Sequence, residues 1–246
     1  MKTRGVIYTA GGDKMFLEEA IYSAKTLKKH NPRLKTALFT TFPGVKSKYF
    51  DQIIFQEPVM HPMKYKIVNM LQSPFDYTLY LDTDTEIKGS IYEIFDFLYI
   101  YDLGFTHRVK ARWGQKTEFI DYIDHDTIQT GFLLFRKNDK VRKFLEIWND
   151  EMQKNPDDKI KSGLSTGDQA TLNRLVKEKN ILGIAGLEYF FLPNIVYNAR
   201  PWLWTQAKKD GLWQDIKIFH AHKLNKNAFE RLNTLLQKAK HKLRKK

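Results

Sequence analysis

Two aspartates separated by one residue follow an apolar run in "YTLYLDTDTEI", residues 77–87. Alternate residues of a strand share one face, so we predict that the carboxylates of Asp82 and Asp84 project together. Neighbouring carboxylates repel each other unless a cation lies beside them. Carboxylate oxygens suit Mg²⁺ or Mn²⁺, which complete their shells with phosphate oxygens and water. The pair therefore predicts a metal–diphosphate site, although so short a pattern is by itself more typical of a solvated acidic strand end.

The first half of the chain alternates strand and helix patterns. Short apolar runs predict strands. Between the first two predicted strands, apolar residues recur at helical spacing, which predicts an amphipathic helix. The predicted strands and helices lie in "GVIYTA", "FLEEAIYSAKTLKKH", "KTALFTT", "QIIFQ", about 63–71 and the D-x-D strand. This alternation predicts an open, mainly parallel α/β sheet with helices on both faces, whose ligand site lies at the carboxyl ends of the strands.

The second half is less regular. Its predicted elements are a strand in "DTIQTGFLLFRKND", helices in "VRKFLEIWNDEMQK" and "STGDQATLNRLVKEK", the latter starting at Ser165 or Thr166, and a late strand in "IKIFHAHK". We expect one domain over residues 1–223, with a nucleotide-binding half at about 1–108 and an acceptor half at 109–223. A separate segment follows at 224–246.

The net charge of +13 is concentrated at the C-terminus. Residues 223–246 hold nine Lys or Arg and one acid, so the preceding 222 residues, with 32 basic and 27 acidic side chains, carry a net charge of only +5. Apolar residues recur at helical spacing here, which predicts a basic amphipathic helix over 224–246. It would lie on an anionic membrane surface or a partner, or pack on the domain with a solvated outer face. We expect no nucleic-acid partner.

Compartment is indicated only by what the sequence lacks. There is no cysteine, and the N-terminal apolar run, residues 6–10, is too short for a signal-peptide core or a membrane span. We therefore predict a cytoplasmic protein, with peripheral membrane contact through the basic segment as one alternative.

Five motifs in order resemble those of the GT-A glycosyltransferases, and in particular the glycogenin-like family 8 enzymes and their relatives. The motifs are "GVIYTAGGD", "SPFDYTLYLDTDTEI", "IQTGFLLF", "GDQATLN" and "LPNIVYN" followed by "IFHAHK". The resemblance covers about residues 5–223. It implies a GT-A, Rossmann-like mixed sheet and transfer of a sugar, hexosyl and retaining in type, from a nucleoside diphosphate donor such as a UDP-sugar. The acceptor would be a glycan, a lipid or a protein in glycan biosynthesis.

The resemblance also implies roles for individual residues. The metal, Mn²⁺ or Mg²⁺, would be held by Asp82, Asp84 and His220. This chain departs from the usual residues after that histidine, so His222 stays an alternative ligand. A histidine near a strand end is also often a hydrogen-bonded structural residue.

Donor binding is implied at three places. Thr9, Ala10 and Gly11 end the first strand, where small residues let the backbone approach a base and ribose. Lys66 would contact the phosphates, although it could also be an ordinary solvent-facing helix lysine, and the neighbouring Lys64 leaves open which lysine makes the contact. The remaining donor-binding residues are Asp82, Thr83, Gln129, Thr130 and Gly131.

Asp168 and Gln169 are the implied catalytic residues. Asp168 would reach the reacting sugar, although helix capping alone would also explain an aspartate at that position. Gln129 stands where the family commonly has asparagine. Trp202 and Trp204 could stack on an acceptor sugar, with core packing or a membrane-edge position as alternatives.

Two other functions are compatible with parts of the pattern. Haloacid dehalogenase-like phosphatases also have D-x-D after a strand. They usually have Thr or Val where this chain has Glu86, and their aspartate pair lies near the N-terminus, so both differences count against this function. A non-catalytic module could bind membranes or nucleic acid through the basic segment.

Overall fold

A computed structural model describes residues 2–107, 127–160 and 166–225. The strands and helices predicted for the first half are all present. They are β1 (Arg4–Ala10), α1 (Lys14–His30), β2 (Lys35–Thr40), β3 (Gln52–Phe55), α2 (Pro62–Leu71), β4 (Tyr77–Leu81) and β5 (Thr85–Ile87). A 3-10 helix, Tyr92–Tyr99, follows.

The second half contains the predicted long helices and two strands, β6 and β8, that the sequence patterns did not indicate. The elements are β6 (Leu103–His107), β7 (Ile128–Arg136), α3 (Asp139–Gln153), α4 (Asp168–Lys179), α5 (Ile181–Ile184), β8 (Tyr189–Leu192), α6 (Asn194–Tyr197), α7 (Pro201–Lys209) and β9 (Ile218–His220). Short 3-10 helices lie at Asp157–Lys159 and Leu212–Asp215.

Seven strands form the central sheet in the order β3-β2-β1-β4-β7-β6-β8. All pairs are parallel except those of β7, which runs antiparallel to both β4 and β6. Strand order reverses between β1 and β4, which is where open α/β sheets bind ligands. The carboxyl ends of β1 and β4 therefore share one sheet edge with the start of β7. The predicted mixed sheet flanked by helices is confirmed.

Alternation along β7 separates the two layers of the core. Leu133 and Phe135 face the layer that holds Trp148 of α3, whereas Phe132 and Leu134 face the layer of α1 and the first 3-10 helix. Both sets are buried because helices cover both faces of this sheet. The continuous apolar run of β7 is thus explained by its central position.

The D-x-D segment differs from its predicted form. β4 ends at Leu81, and the chain bends through residues 82–84 before β5, which leaves the main sheet and pairs antiparallel with β9. In this two-stranded sheet Thr85 lies opposite His220. The late strand also ends at His220, so His222 lies in the turn beyond it.

Ser165, one of the two predicted starts of α4, lies outside the described residues. The predicted C-terminal helix also lies almost wholly outside them, because they end at residue 225. Its membrane or partner contact stays a prediction, as do the domain divisions at 108 and 223. Within the described ranges, no helix combines the length and the apolar character that crossing a membrane requires.

Candidate metal centre and its surroundings

Asp82, Asp84 and His220 converge at the sheet edge, with one candidate ligand atom from each lying within 4.8 Å of the others. His220 Nε2 lies 2.9 Å from Asp84 Oδ1 and 3.6 Å from Asp82 Oδ2. Two backbone hydrogen bonds hold the bend: Asp82 N–H donates to the Gly131 carbonyl at 3.0 Å, and Ala221 N–H donates to the Asp84 carbonyl at 2.8 Å. The bend is thereby fixed from both sheets.

Gly131 provides the room in which these side chains meet. A Cβ added there would overlap His220 Cε1 and stand 2.6 Å from Asp82 Oδ2. Any side chain at position 131 would therefore displace two of the three candidate ligands. Close approach to the site, not backbone conformation, explains the glycine.

His220 is fully buried and its ring orientation is set from behind. Asn198 Nδ2 donates to Thr106 Oγ1 at 2.8 Å, which leaves Asn198 Oδ1 to accept from His220 Nδ1 at 2.5 Å. The Nδ1 proton leaves the Nε2 lone pair facing the aspartates. Among the described residues, this buried Nε2 has no aligned hydrogen-bond partner. Such an orphaned nitrogen, oriented by a hydrogen bond to the other ring nitrogen, is typical of a metal ligand.

The charge states also suit a cation. Burial, together with the positive charge of Arg200, lowers the pKa of His220, which keeps the imidazole neutral at pH 7. Burial acts to raise the pKa of Asp84, but the nearby basic side chains of Arg200 and His222 hold it below its usual range. Two carboxylates and one neutral imidazole are donors that Mn²⁺ or Mg²⁺ can accept. The residues present fit a divalent cation.

His222 lies close to the group but is engaged elsewhere. Its Nδ1 is 3.2 Å from Glu19 Oε2 and 3.5 Å from Asp84 Oδ2, and more than half of its side chain is exposed. Glu19 is buried and also accepts from the backbone N–H of Lys223 at 2.8 Å. The three-residue group thus contains His220 and not His222.

Lys66 connects this group to Asp168. Its buried Nζ lies 2.9 Å from Asp82 Oδ1 and 2.7 Å from Asp168 Oδ2, and it sits 4.8 Å from the centre of the Tyr80 ring. Burial acts to lower the pKa of Lys66, but the two carboxylates raise it above its ordinary value, so the amine stays charged. The interpretation of Lys66 as a solvent-facing helix lysine is wrong.

Lys64, two residues earlier, points elsewhere. Its Nζ lies 2.7 Å from Asp157 Oδ1 on the 3-10 helix after α3. The two lysines are only two residues apart on α2, yet of the two only Lys66 pairs with Asp82 and Asp168. The contact of Lys66 with donor phosphates stays a prediction.

Asp168 is the first residue of α4, where Gly167 is the N-cap residue. Its carboxylate accepts from Thr130 Oγ1 at 2.8 Å and pairs with Lys66. Burial acts to raise the pKa of Asp168, but Lys66 and the hydrogen bonds lower it overall. Helix capping therefore does not account for this aspartate.

Arg200, which the sequence patterns did not single out, reaches the site from the loop before α7. Its Nη1 lies 3.8 Å from Asp84 Oδ2. With the Gln129 amide oriented as its neighbours require, Gln129 Oε1 accepts from Arg200 Nη2 at 2.8 Å and from Nε at 3.1 Å. Gln129 Nε2 then donates to Gln169 Oε1 at 2.7 Å. An arginine before a proline is a common local pattern, so no sequence signal marked it.

The residues predicted to contact the base and ribose lie at the same sheet edge, at the end of β1. Thr9 Oγ1 accepts from Asn69 Nδ2 at 2.9 Å. A Cβ on Gly11 would stand 3.0 Å from Thr41 Oγ1, so the backbone there is closely packed on the β2 side. Ala10 and Thr83 are buried. Their contact with a donor stays a prediction.

The two tryptophans proposed for acceptor stacking have different environments. Trp204 packs edge-on against Trp213 and Phe219, and its Nε1 donates to the Ala199 carbonyl at 3.0 Å. Trp202 is 38% exposed. Together with Arg200 it lines a small cleft whose volume, counting the part open to solvent, is about 200 Å³. Core packing explains Trp204, and Trp202 stays a candidate for acceptor contact.

Solved structures of a bacterial enzyme share this fold. The glycosyltransferase GlyE in Streptococcus pneumoniae TIGR4 matches with a TM-score of 0.57 and 18% identity over 89% of this chain, and its apo form matches with a TM-score of 0.54 at the same identity and coverage. This chain spans 54% of the length of those structures. No protein-family model matches the sequence, and no curated protein does so either. At this identity the likeness shows a glycosyltransferase-type Rossmann-like fold.

Proposed function

We propose that this protein is a metal-dependent glycosyltransferase that moves a sugar from a nucleoside diphosphate donor, UDP-linked in our preferred form, to a glycan, lipid or protein acceptor. The convergence of Asp82, Asp84 and His220 at the switch point of a glycosyltransferase-type sheet carries this proposal. The motif order that resembles glycogenin-like family 8 enzymes supports the choice of UDP and of Mn²⁺ or Mg²⁺ as the ion.

The chemical requirement is expulsion of a diphosphate from the anomeric carbon. A divalent cation bound to the three residues supplies Lewis-acid stabilisation of the negative charge that develops on the leaving group. Asp82 and Asp84 provide oxygen ligands, and His220, with its proton held on Nδ1, provides a nitrogen lone pair. Asp82 is only partly buried, so a cation held there could take phosphate oxygens and water as its remaining ligands.

Lys66 contributes a fixed positive charge beside the same edge. In the structure it is held by Asp82 and Asp168, so its amine is oriented without a ligand. A lysine presents a compact charge that interacts well with a diphosphate. We propose that it contacts the donor phosphates while keeping Asp168 in place.

Asp168 is a poor candidate for a general base. A general base works best with a pKa near the operating pH, whereas Lys66 holds the pKa of Asp168 below its ordinary range. Inverting transfer requires a base that deprotonates the acceptor, so this environment supports retention of anomeric configuration. Proton NMR of the first product formed would decide the point, and an inverted anomer would contradict it.

Nucleotide binding with and without metal tests the proposal. We expect calorimetric titration of UDP, GDP, ADP and CDP to show tight binding of at least one, UDP being favoured, in Mn²⁺ but not in EDTA. Absence of metal-dependent binding of every nucleoside diphosphate would overturn the proposal.

Asp84→Asn sharpens the test. Because Asp84 is buried, the isosteric amide is preferable to alanine, which would leave a cavity. We expect loss of metal-dependent nucleotide binding without loss of the fold. Asp96→Asn is the matched control, since Asp96 is exposed and pairs with Arg4 at the opposite edge of the sheet. If Asp84→Asn binds as well as Asp96→Asn does, the metal assignment is wrong.

A further inference from the structure

Arg200, Gln129 and Gln169 form a continuous chain of side-chain hydrogen bonds beside the candidate metal group. Arg200 Nη2 and Nε donate to Gln129 at 2.8 and 3.1 Å, and Gln129 donates to Gln169 at 2.7 Å. Gln129 is 6% exposed, so water does not compete freely for its amide. The chain joins three elements: the loop before α7, β7 and the first turn of α4.

The direction of this chain is determined by Arg200. A guanidinium has only donors, whereas an amide has a donor end and an acceptor end. The Gln129 oxygen must therefore face Arg200, and its nitrogen must face Gln169 Oε1. Gln169 is left with its amide nitrogen, and among the residues that the structure describes no group accepts a hydrogen bond from that nitrogen. The Gln169 amide therefore keeps an N–H donor that no described residue uses.

We propose that Arg200 is a positioning residue that acts through Gln129 to make Gln169 present an N–H donor to an oxygen of the bound donor sugar. This inference rests on the proposed function, because the sugar is the ligand that would supply the oxygen. Gln169 is linked to the candidate metal group by hydrogen bonds, because it accepts from Gln129 and Gln129 accepts from Arg200, which lies 3.8 Å from Asp84. Sugar hydroxyl and ring oxygens accept hydrogen bonds from amides.

Arg200 also couples the chain to the candidate metal ligands. Its Nη1 lies 3.8 Å from Asp84 Oδ2, whereas the other oxygen of that carboxylate, Oδ1, faces His220. One cation thus contacts both a candidate metal ligand and the amide that orients Gln169. Arg200 thus connects the candidate metal group to the Gln129–Gln169 pair, although it belongs to none of the five motifs.

Side-chain amide exchange tests the direction of the chain without any substrate. In ¹⁵N-labelled protein, Arg200→Met should speed exchange of the Gln129 amide protons by about tenfold or more, because losing the charged hydrogen bonds to the Gln129 oxygen lets the amide rotate and break its bond to Gln169. Arg200→Lys keeps a cation that can only donate and should recover part of the protection. Gln153, whose amide donates to Asn149 Oδ1 at 3.0 Å on α3, is the internal control and should not change. Equal Gln129 exchange in wild type and Arg200→Met would overturn the inference.

Kinetics test the unused N–H donor of Gln169. Gln169→Glu keeps the oxygen that accepts from Gln129 and replaces only the amide nitrogen. With Mn²⁺ and UDP-glucose or UDP-galactose as probes, we expect Gln169→Glu and Arg200→Met each to lower kcat for UDP release at least tenfold. In Gln169→Glu the Kd of UDP should change less than about threefold, whereas Arg200→Met also removes the cation beside Asp84. Arg200→Lys should restore part of kcat. A wild-type kcat in either of the first two variants would contradict the proposal.

These readouts separate the two proposals. If the wild-type protein binds no nucleoside diphosphate with Mn²⁺, the proposed function fails, and the role of Gln169 toward a sugar fails with it. The amide-exchange comparison still decides whether Arg200 directs the chain. If UDP binds with Mn²⁺ and the exchange rates do not respond to Arg200→Met, the proposed function stands and only the positioning role is wrong.

Discussion

Replacing Gly131 by alanine should disable the candidate metal centre through one methyl group. The added Cβ would stand 2.6 Å from Asp82 Oδ2 and would overlap His220 Cε1. Ordinary van der Waals contact begins at about 3.4 Å, so the aspartate oxygen must move by about 0.8 Å. Metal ligands tolerate deviations of only about 0.2 Å, so the shifted group no longer fits the ion.

The size of the effect follows from the cost of overpacking. Inserting a methyl group into a closely packed site costs about 1–3 kcal/mol. If that cost falls on ion binding, the Mn²⁺ affinity drops roughly 5- to 150-fold, at about 1.4 kcal/mol per factor of ten. If it falls on the fold instead, Tm decreases by about 2–12 °C, at about 2–4 °C per kcal/mol for a chain of this size.

Calorimetric titration with Mn²⁺ and thermal unfolding in EDTA together measure both effects. Gly89→Ala is the matched control, because a Cβ at position 89 would meet no atom closer than 3.4 Å. We expect Gly89→Ala to retain wild-type Mn²⁺ affinity and Tm. A Gly131→Ala protein that matches Gly89→Ala in both measurements would refute the packing argument.

Three further predictions concern the ligands and the ion pairs. His220→Ala should weaken Mn²⁺ binding at least tenfold, whereas His222→Ala should change it less than about threefold, and the reverse order in calorimetry would exchange their assignments. Lys66→Met should destabilise the protein by about 3–5 kcal/mol in urea unfolding, because it removes a buried cation that pairs with two partly buried carboxylates. Lys64→Met should lower the unfolding free energy by at most about 1 kcal/mol, because its partner Asp157 is nearly half exposed. Equal losses in the two variants would contradict the argument from the burial of the partner carboxylates. Burial acts to raise the pKa of Asp51, but hydrogen bonds from lysine and threonine neighbours lower it from 3.8 to about 2, so its stabilisation is present above pH 3.8 and is lost as the pH falls. After allowance for partial exposure, we expect Asp51 to stabilise the fold by about 1 kcal/mol at pH 5.5, with roughly half of this lost by pH 3. The unfolding free energies of wild type and Asp51→Asn should therefore differ less at pH 3 than at pH 5.5. An equal difference at the two pH values would contradict the prediction.

The parts of the fold that could be predicted are those with local causes. β1, α1, β2 and α2 are bounded by turn residues and carry clear apolar periodicity, so their positions follow from nearby sequence. The D-x-D aspartates were identified for the same reason, since an apolar strand that ends in two carboxylates is visible in eleven residues. The convergence of Asp82, Asp84 and His220 agrees with what the resemblance implied.

The missed features depend on distant contacts. A single strand was predicted through the D-x-D segment, but pairing with β9 pulls the chain into β5, and that partner lies more than a hundred residues away. Arg200 has no local pattern that marks it, since its role comes from contacts with β7 and with Asp84. Similar logic applies to Glu19, which occupies a buried position of α1 because the segment after β9 packs against it.

The small β5–β9 sheet has a consequence for the order in which the protein assembles. Thr85 and His220 are paired across 134 intervening residues, and the Ala221 N–H closes the bend from the same side. Contacts of such long sequence separation are slow to form, because loop closure must precede them. During synthesis the aspartate pair therefore emerges long before its histidine. We expect a nascent chain to gain its full ion affinity only after residue 221 leaves the ribosome, so that tight binding marks completed folding of the whole sheet edge.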